Sequence, residues 1–213
     1  MTIPRFYPVL DTGVLTRCGL DAIAAAEAIL AGGARILQLR HKGHFSREIY
    51  HWAERMARMC SDASAIFVVN DRADIALMLG AALHVGQDDL PPWAARRVVG
   101  DGAVIGFSTH NEAQLRGAAD EPVDYLAIGP MFSTVSKENP DPVVGVEELR
   151  RLRPLTIRPL VAIGGITRAN AGAVLAAGAD SVAVIGDLFP EGRLAALRAR
   201  TEEWTRTVQP GCP

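Results

Sequence analysis

Two apolar runs of this chain are each followed by carboxylates, in Val68–Asp71 and again in His84–Asp89. If the runs are neighbouring parallel strands, their carboxyl ends share one edge, so Asp71 and Asp89 are expected to face one point. Mg²⁺ commonly takes one or two carboxylates and completes its shell with phosphate oxygens and water. The alternative is that Asn70-Asp71 is a helix N-cap and that the second pair lies in a turn. Because the two pairs occupy equivalent places in adjacent units, we favour a metal site.

A second candidate is the basic end of an earlier run, Gln38-Leu39-Arg40-His41-Lys42. Side chains alternate along a strand, so Gln38, Arg40 and Lys42 share one face, while Leu39 and His41 point the other way. Two cations and an amide on one face would bind an anion, since arginine can hold phosphate oxygens through two parallel hydrogen bonds. The alternative is a basic surface turn with extended side chains.

Three later segments add polar groups to the same edge. Ser108 ends one run and is either a donor at the site or a helix N-cap. Residues 129–137 are rich in hydroxyls and end in Lys137, as in a polar clamp over an anion or a surface loop. Gly164 and Ile185-Gly186 follow the last two runs, where glycines let backbone N–H groups approach a phosphate.

The order of elements that would position these residues is an alternation of strands and helices. Strands are predicted at Phe6–Leu10, Arg35–Leu39, Ala65–Val69, Ala82–Val85, Val104–Phe107, Tyr125–Ile128, Leu160–Ile163 and Ser181–Ile185. Helices are predicted at Leu20–Ala31, Ser46–Cys60, Ile75–Leu79, Pro92–Val99, Asn111–Ala118, Val146–Leu152, Thr167–Ala177 and Gly192–Val208. Eight such units predict an α/β fold, a single (β/α)8 TIM barrel over residues 1–213 with a short irregular tail at 209–213. The competing fold is an open doubly wound sheet.

In a barrel the site lies at the carboxyl ends of the strands, which would gather two anion sites into one mouth. Asp71, Asp89, Arg40 and Lys42 fit a diphosphate and its metal, and Gly164 with residues 185–186 fits a monophosphate. A reaction that joins a diphosphate-activated group to a phosphorylated acceptor would use both. His84 either orients a ligand there or is a buried structural histidine.

Composition excludes several function classes. The chain has 22 basic and 24 acidic residues and a net charge of −2, so no overall field attracts nucleic acid or a membrane surface. The cysteines, Cys18, Cys60 and Cys212, show no metal-type spacing and indicate free thiols in a reducing compartment, with Cys18 expected in a loop. No secretory signal or membrane-spanning run is found, so we expect a cytoplasmic protein.

Seven motifs together resemble the thiamine-phosphate synthase family from about Tyr7 to Phe189. They are Gln-Leu-Arg-His-Lys at 38–42, Asn-Asp-Arg-Ala-Asp at 70–74, His-Val-Gly-Gln-Asp-Asp at 84–89, Gly-Phe-Ser-Thr-His at 106–110, Gly-Pro-Met-Phe-Ser-Thr-Val-Ser-Lys at 129–137, Ala-Ile-Gly-Gly-Ile at 162–166 and Ala-Gly-Ala-Asp-Ser-Val-Ala-Val at 177–184. The resemblance implies Mg²⁺-assisted transfer of an aminopyrimidine methyl group from its diphosphate to a thiazole phosphate, through a pyrimidine carbocation, with release of pyrophosphate.

The resemblance also implies site residues and partners. The pyrimidine diphosphate would be held by Gln38, Leu39, Arg40, His41, Lys42, Asn70, Ser108 and Lys137, of which Arg40, Lys42, Ser108 and Lys137 would be catalytic. Mg²⁺ would be bound by Asp71 and Asp89. The thiazole phosphate would be held by Thr134, Val135, Ser136, Gly164, Ile185 and Gly186. The partners would be these small molecules, not nucleic acid or membrane, and a homo-oligomer stays open.

Four positions depart from the family pattern. His41 replaces a usual Glu, Ser136 a usual Thr, and Gly186 a usual Ser, and the segment before His84 is one residue short, which could shift Asp89. Two alternatives to the synthase are a thiazole tautomerase-like enzyme of thiamine metabolism and a non-catalytic phosphate-binding relative. The tautomerase characteristically lacks the Asp after Asn that this chain keeps as Asp71.

Overall fold

The computed structural model describes residues 2–134, 141–189 and 193–209. Its strands are β1 Phe6–Asp11, β2 Ile36–Arg40, β3 Ile66–Asn70, β4 Ala82–Val85, β5 Ile105–Thr109, β6 Tyr125–Ile128, β7 Leu160–Ile163 and β8 Ser181–Val184. Its α-helices are α1 Thr12–Cys18, α2 Ala22–Ala31, α3 Arg47–Asp62, α4 Ala73–Leu79, α5 Pro92–Val99, α6 Glu112–Gly117, α7 Gly145–Leu152, α8 Arg168–Ala176 and α9 Leu194–Thr207. Single 3-10 turns lie at Ala118–Asp120, Arg153–Leu155 and Gly186–Leu188.

The eight strands form a closed parallel barrel in sequence order, because β1 pairs with β8 as well as with β2. The predicted TIM barrel is therefore confirmed, and the open doubly wound alternative is wrong. Alternation along each strand separates two layers of core. Side chains such as Tyr7 and Val9 fill the barrel interior, whereas Phe6 and Leu10 pack outwards against the helices. At the seam the Phe6 ring stacks on Trp204 of α9, with 5.5 Å between ring centroids.

Helix ends follow the predicted local chemistry. The side chain of Ser46 caps α3 by accepting a hydrogen bond from the Ile49 N–H. After α2 and α8 the chain turns at Gly33 (φ 96°) and Gly178 (φ 109°), left-handed conformations that glycine adopts without a steric penalty.

Aspartates in two helix-to-strand connections bind across to the preceding strand. The Asp124 carboxylate accepts a hydrogen bond from the Ile105 N–H at the start of β5 (2.8 Å) and another from Arg96 (2.9 Å). Asp180 repeats the arrangement with the Leu160 N–H at the start of β7 (2.8 Å) and with an arginine. Each aspartate thus satisfies the backbone of a neighbouring strand at the end of the barrel opposite the site.

The structure corrects three sequence-based expectations. The segment containing Cys18 was expected to be a loop but forms α1, which begins with the Asp11 side chain accepting from the Val14 N–H. β5 extends beyond its predicted end at Phe107, so Ser108 lies in the strand and is not an N-cap; Asn111 caps α6 instead. Four other strands end one residue away from their predicted ends: β1, β2 and β3 reach Asp11, Arg40 and Asn70, and β8 ends at Val184. Of the tail expected at 209–213, all but Gln209 lies outside the described residues.

Among the helices that the structure describes, none combines the length and the apolar composition needed to cross a bilayer.

Candidate active site

A cavity of about 750 Å³ opens at the carboxyl ends of the strands. The predicted site residues that line it are Gln38, Arg40, Lys42, Asn70, Asp71, Asp89, Ser108, Thr134, Gly164, Ile185 and Gly186. They come from the ends of β2 to β5 and of β8 and from the loops after β6 and β7, so the barrel brings residues far apart in sequence to one mouth. The predicted site residues Val135, Ser136 and Lys137 lie outside the described part of the chain.

Two of the predicted substrate-binding residues turn their side chains away from this cavity. Leu39 is buried in the outer layer of core. The Nδ1 atom of His41 lies 2.8 Å from the Thr12 hydroxyl, and its Nε2 atom lies 3.0 Å from the carbonyl of His44. Neither Leu39, in β2, nor His41, just after it, lines the cavity with its side chain, so only their backbone groups are available at the mouth.

Asp71 and Asp89 form an acidic pair at the mouth. Their carboxyl groups are in hydrogen-bonding contact, so the shorter segment before His84 does not keep them apart. Burial raises the pKa of Asp71 to about 6, and Asp89 adds to the rise while Lys42 opposes it. The pKa of Asp89 is lowered: burial would raise it, but hydrogen bonds from Asp71 and from the Gly86 N–H outweigh that effect. Two carboxylates in contact repel each other, so the pair favours a proton or a cation between them.

The backbone at the acidic pair is also unusual. Asp71 has φ 65°, a left-handed conformation that non-glycine residues seldom adopt and that concentrates at functional sites. Its N–H donates to the carbonyl of His84 on the neighbouring strand (2.8 Å). Beside it, the buried Nδ2 of Asn70 has no hydrogen-bond partner within the described residues. A buried donor of this kind lining a cavity indicates a place for a ligand acceptor.

Arg40, at the end of β2, and Lys42, two residues beyond it, are both held by carboxylates. Lys42 Nζ lies 2.6 Å from Asp71 Oδ2, which joins the basic and acidic parts of the site. Arg40 forms an ion pair with Asp11, the buried residue opposite it on β1. Sequence reasoning missed Asp11, although a carboxylate ending the first strand beside a basic strand end was the available sign.

A hydrogen-bonded chain of five side chains crosses the barrel at the base of the cavity. Gln38 Nε2 lies 2.8 Å from the Tyr7 hydroxyl, which lies 2.9 Å from the Tyr125 hydroxyl. His84 then contacts Tyr125 through Nδ1 (3.0 Å) and Ser108 through Nε2 (2.9 Å). The sequence analysis left the role of His84 open and missed both tyrosines. The only sequence feature that pointed to the tyrosines was an aromatic residue at an inward-facing position of a strand.

Burial fixes the protonation of this chain. It lowers the pKa of His84 to about 4. It also raises the pKa of Tyr7 and of Tyr125 above the ordinary value. At neutral pH the imidazole is therefore uncharged and both phenols keep their hydrogens.

The glycine loops on the far side of the mouth are interlocked. Gly164 and Gly165 have φ of 98° and 65°, and a Cβ on Gly164 would lie 2.6 Å from Pro130 Cβ. The N–H groups of Met131 and Phe132 donate to the carbonyls of Ile163 (2.9 Å) and Gly164 (3.0 Å), so the loop after β6 is fastened to the loop after β7. α8 begins just beyond, and its N-cap residue Thr167 lines the same cavity.

Gly186 is different, because a Cβ there would meet nothing within 4 Å. The usual serine would fit in the space, so packing does not explain its absence.

Comparisons with known proteins agree with this geometry. The family model described as Thiamine monophosphate synthase matches residues 6–188. The chain is 48% identical over 199 residues to the thiamine-phosphate synthase of Koribacter versatilis (strain Ellin345), covering 91% of this chain and 92% of that protein. It is 44% identical over 181 residues to the thiamine-phosphate synthase of Laribacter hongkongensis (strain HLHK9), covering 84% of each.

Solved structures are similar over nearly the whole chain. The thiamine phosphate pyrophosphorylase from Pyrococcus furiosus superposes with a TM-score of 0.83 at 30% identity, covering 96% of this chain and 95% of that one. A structure titled "Native KDPGal structure" has a TM-score of 0.73 at 14% identity, covering 97% of this chain and 95% of that one, which is a likeness of fold alone.

Proposed function

This chain belongs to the thiamine monophosphate synthase family, and on that premise we propose how its residues carry out the reaction. It is a transferase that joins the aminopyrimidine methyl group of a pyrimidine diphosphate to a thiazole phosphate, giving thiamine phosphate and pyrophosphate. The relatives described above carry the synthase name, which favours the synthase over a tautomerase or a non-catalytic relative.

The observation that carries the proposal is the acidic pair next to two cations in one cavity. Two carboxyl groups in contact repel unless a proton or a cation lies between them, so Asp71 and Asp89 fit a divalent ion. Within the described residues no group of three or more His, Cys, Asp or Glu side chains could hold a metal. A site with only two carboxylates suits Mg²⁺, which shares its remaining positions with phosphates and water.

Bound there, Mg²⁺ would neutralise part of the charge that develops on the departing diphosphate. Arg40 and Lys42 reach the same volume, so their cationic groups would hold the diphosphate oxygens and stabilise the same charge. Asn70 would supply its unpartnered Nδ2 hydrogens and Ser108 its hydroxyl to the pyrimidine diphosphate. We place Leu39, His41 and Lys137 with this substrate as the family resemblance implies, the first two through their backbone.

The acceptor phosphate would lie against the glycine loops. Gly164, Ile185 and Gly186 offer backbone N–H groups, and the N-terminus of α8 adds positive potential. Thr134, Val135 and Ser136 would also hold this phosphate, as the family resemblance implies. The C–O bond to the diphosphate breaks first, on the side of Arg40, and the bonding electrons leave with the diphosphate. The thiazole nitrogen then attacks the methyl carbon of the resulting pyrimidine carbocation from the acceptor side. No covalent bond to the protein is needed.

The test is release of pyrophosphate from the two substrates with and without added Mg²⁺. We expect turnover that needs both substrates and is lost on chelation. Asp71→Asn should abolish turnover while the barrel stays folded, and Asp62→Asn, at the exposed end of α3, is the matched control. No turnover by the folded wild-type chain would overturn the synthase assignment, and turnover that survives chelation would overturn the metal site.

We also propose that the whole chain works as one barrel domain in the cytoplasm, without nucleic-acid or membrane partners. Limited proteolysis that leaves one resistant core, and recovery of the protein in the supernatant after cell fractionation, are the expected results.

A further inference from the structure

The chain of hydrogen bonds from Gln38 to Ser108 joins two cavity-lining residues that the family resemblance places with one substrate, the pyrimidine diphosphate. Its members come from β1, β2, β4, β5 and β6, so it spans more than half of the barrel. Three of them, Tyr7, Tyr125 and His84, are buried and form no other side-chain hydrogen bond among the described residues. The sequence makes room for it: a Cβ on Gly106 would lie 2.0 Å from Tyr125 Cζ.

The chemistry of each group gives the chain a direction. An amide nitrogen can only donate, so the contact from Gln38 Nε2 makes the Tyr7 oxygen an acceptor. The Tyr7 hydrogen then points to Tyr125, and the Tyr125 hydrogen points to His84 Nδ1. A neutral imidazole carries its hydrogen on the other nitrogen, so His84 Nε2 donates to Ser108. The Ser108 hydrogen is left free to point into the cavity.

The opposite direction satisfies every group equally well. If the Gln38 amide turns over, its Oε1 accepts from Tyr7, Tyr125 donates to Tyr7, His84 donates from Nδ1, and Ser108 donates to His84 Nε2. Any mixture leaves two hydrogens or two lone pairs facing each other in the interior, which is unfavourable. The five groups therefore reverse together, and the two ends of the chain present opposite faces to the cavity in the two states.

We propose that this chain, on the premise of the proposed function, is a positioning relay that couples recognition of the pyrimidine to the hydroxyl at the diphosphate. The amino group of the substrate needs an acceptor, which is the Gln38 oxygen. That orientation leaves Ser108 as a donor to the anionic diphosphate. An oxo group in place of the amino group needs a donor, reverses the relay and turns a Ser108 lone pair towards the diphosphate. Tyr7, Tyr125 and His84 thereby select an aminopyrimidine over an oxopyrimidine.

The direct test reads the tautomer of His84 by ¹⁵N NMR of its ring nitrogens, with the resonances identified by their loss in His84→Asn. The probes are the two unreactive alcohols, 4-amino-5-hydroxymethyl-2-methylpyrimidine and its 4-oxo counterpart. We expect the hydrogen on Nε2 with the amino compound and on Nδ1 with the oxo compound. In Tyr125→Phe, which keeps the ring but removes the central hydroxyl, the two compounds should give the same tautomer state.

Thr109→Val is the matched control, because it also removes a buried hydroxyl of β5, one that donates to the Ala127 carbonyl (2.8 Å) outside the relay. It should leave the ligand-dependent tautomers of His84 unchanged. The same tautomer with both probes in the wild type would overturn the relay, as would a ligand-dependent tautomer in Tyr125→Phe. If neither probe binds, the proposed pyrimidine site is itself wrong, so the two failures are distinguishable.

Kinetics provide a second readout. Tyr125→Phe should lower kcat with the aminopyrimidine diphosphate about 10-fold, since a hydrogen bond to a charged group is no longer held in place, with a smaller change in KM. Its preference for the amino over the oxo diphosphate, as a ratio of kcat/KM, should fall by a similar factor. Thr109→Val should keep both values. An unchanged preference in a folded Tyr125→Phe protein would contradict a relay and leave only a structural role.

Discussion

Gly106→Ala should destabilise the barrel through one identified contact. Gly106 faces the ring of Tyr125 across the β5–β6 pair, and an added Cβ would lie 2.0 Å from Cζ and 2.4 Å from the hydroxyl oxygen. Carbon atoms pack at about 3.5–4.0 Å, so the ring must move by about 1.5 Å or the strands must part. Gly106 is not among the residues with positive φ, so the substitution adds no backbone strain and the effect is steric.

The magnitude follows from two contributions. Overpacking a close-packed interior costs about 1–3 kcal/mol. Displacing Tyr125 also breaks its hydrogen bonds to Tyr7 and His84, each with a net contribution of about 0.5–1.5 kcal/mol. The expected loss is therefore roughly 2–6 kcal/mol. At roughly 2–4 °C per kcal/mol for a domain of this size, Tm should fall by roughly 4–24 °C.

Thermal and denaturant unfolding of Gly106→Ala measure this loss, with Gly172→Ala as the control. Gly172 lies inside α8, where a Cβ would meet nothing within 4 Å. Alanine there should raise stability by about 0.5–1 kcal/mol, because it restricts the unfolded chain and favours the helix. A Tm for Gly106→Ala within about 1 °C of the wild type would be a far smaller change than expected. It would show that the described packing of Tyr125 against β5 is wrong.

Three further predictions concern charged residues. Asp11→Asn keeps the helix cap but removes the ion pair with Arg40, so it should raise KM for the diphosphate substrate with little loss of stability. Asp11→Ala also removes the cap and should lose about 1 kcal/mol in denaturant unfolding. Equal stabilities of the two variants would contradict the role of Asp11 as a cap. Asp180→Ala leaves the Leu160 N–H of β7 unpaired, so the free energy of unfolding should fall by about 1–3 kcal/mol while kcat stays unchanged. A lowered kcat would show that this end of the barrel affects the site. Mg²⁺ should raise the Tm of the wild type, because it relieves the repulsion between Asp71 and Asp89. It should not raise the Tm of Asp71→Asn. An equal rise in both proteins would place the ion elsewhere.

Much of the fold could be predicted from the sequence because its determinants are local. Apolar runs of four to six residues alternate with helical segments, and glycines such as Gly33 and Gly178 end helices where the chain must turn left-handed. Strand ends carry carboxylates, cations and glycines, and in a parallel barrel those ends meet by construction. The placement of Asp71 beside Asp89 needed only the order of the strands. α1 escaped prediction because its seven residues, which contain Gly13, have no clear helical periodicity.

The sequence by itself therefore determined the barrel and many of the polar residues that line its mouth, but it missed Asp11, Tyr7 and Tyr125. Only the tertiary structure decided which of those residues pair. The ion pair of Arg40 with Asp11 and the chain from Gln38 through Tyr7, Tyr125 and His84 each join different strands. Whether inward side chains touch across a barrel depends on the diameter of the barrel and on the stagger of its strands. Closure of the whole sheet sets both quantities, so no local sequence pattern encodes them.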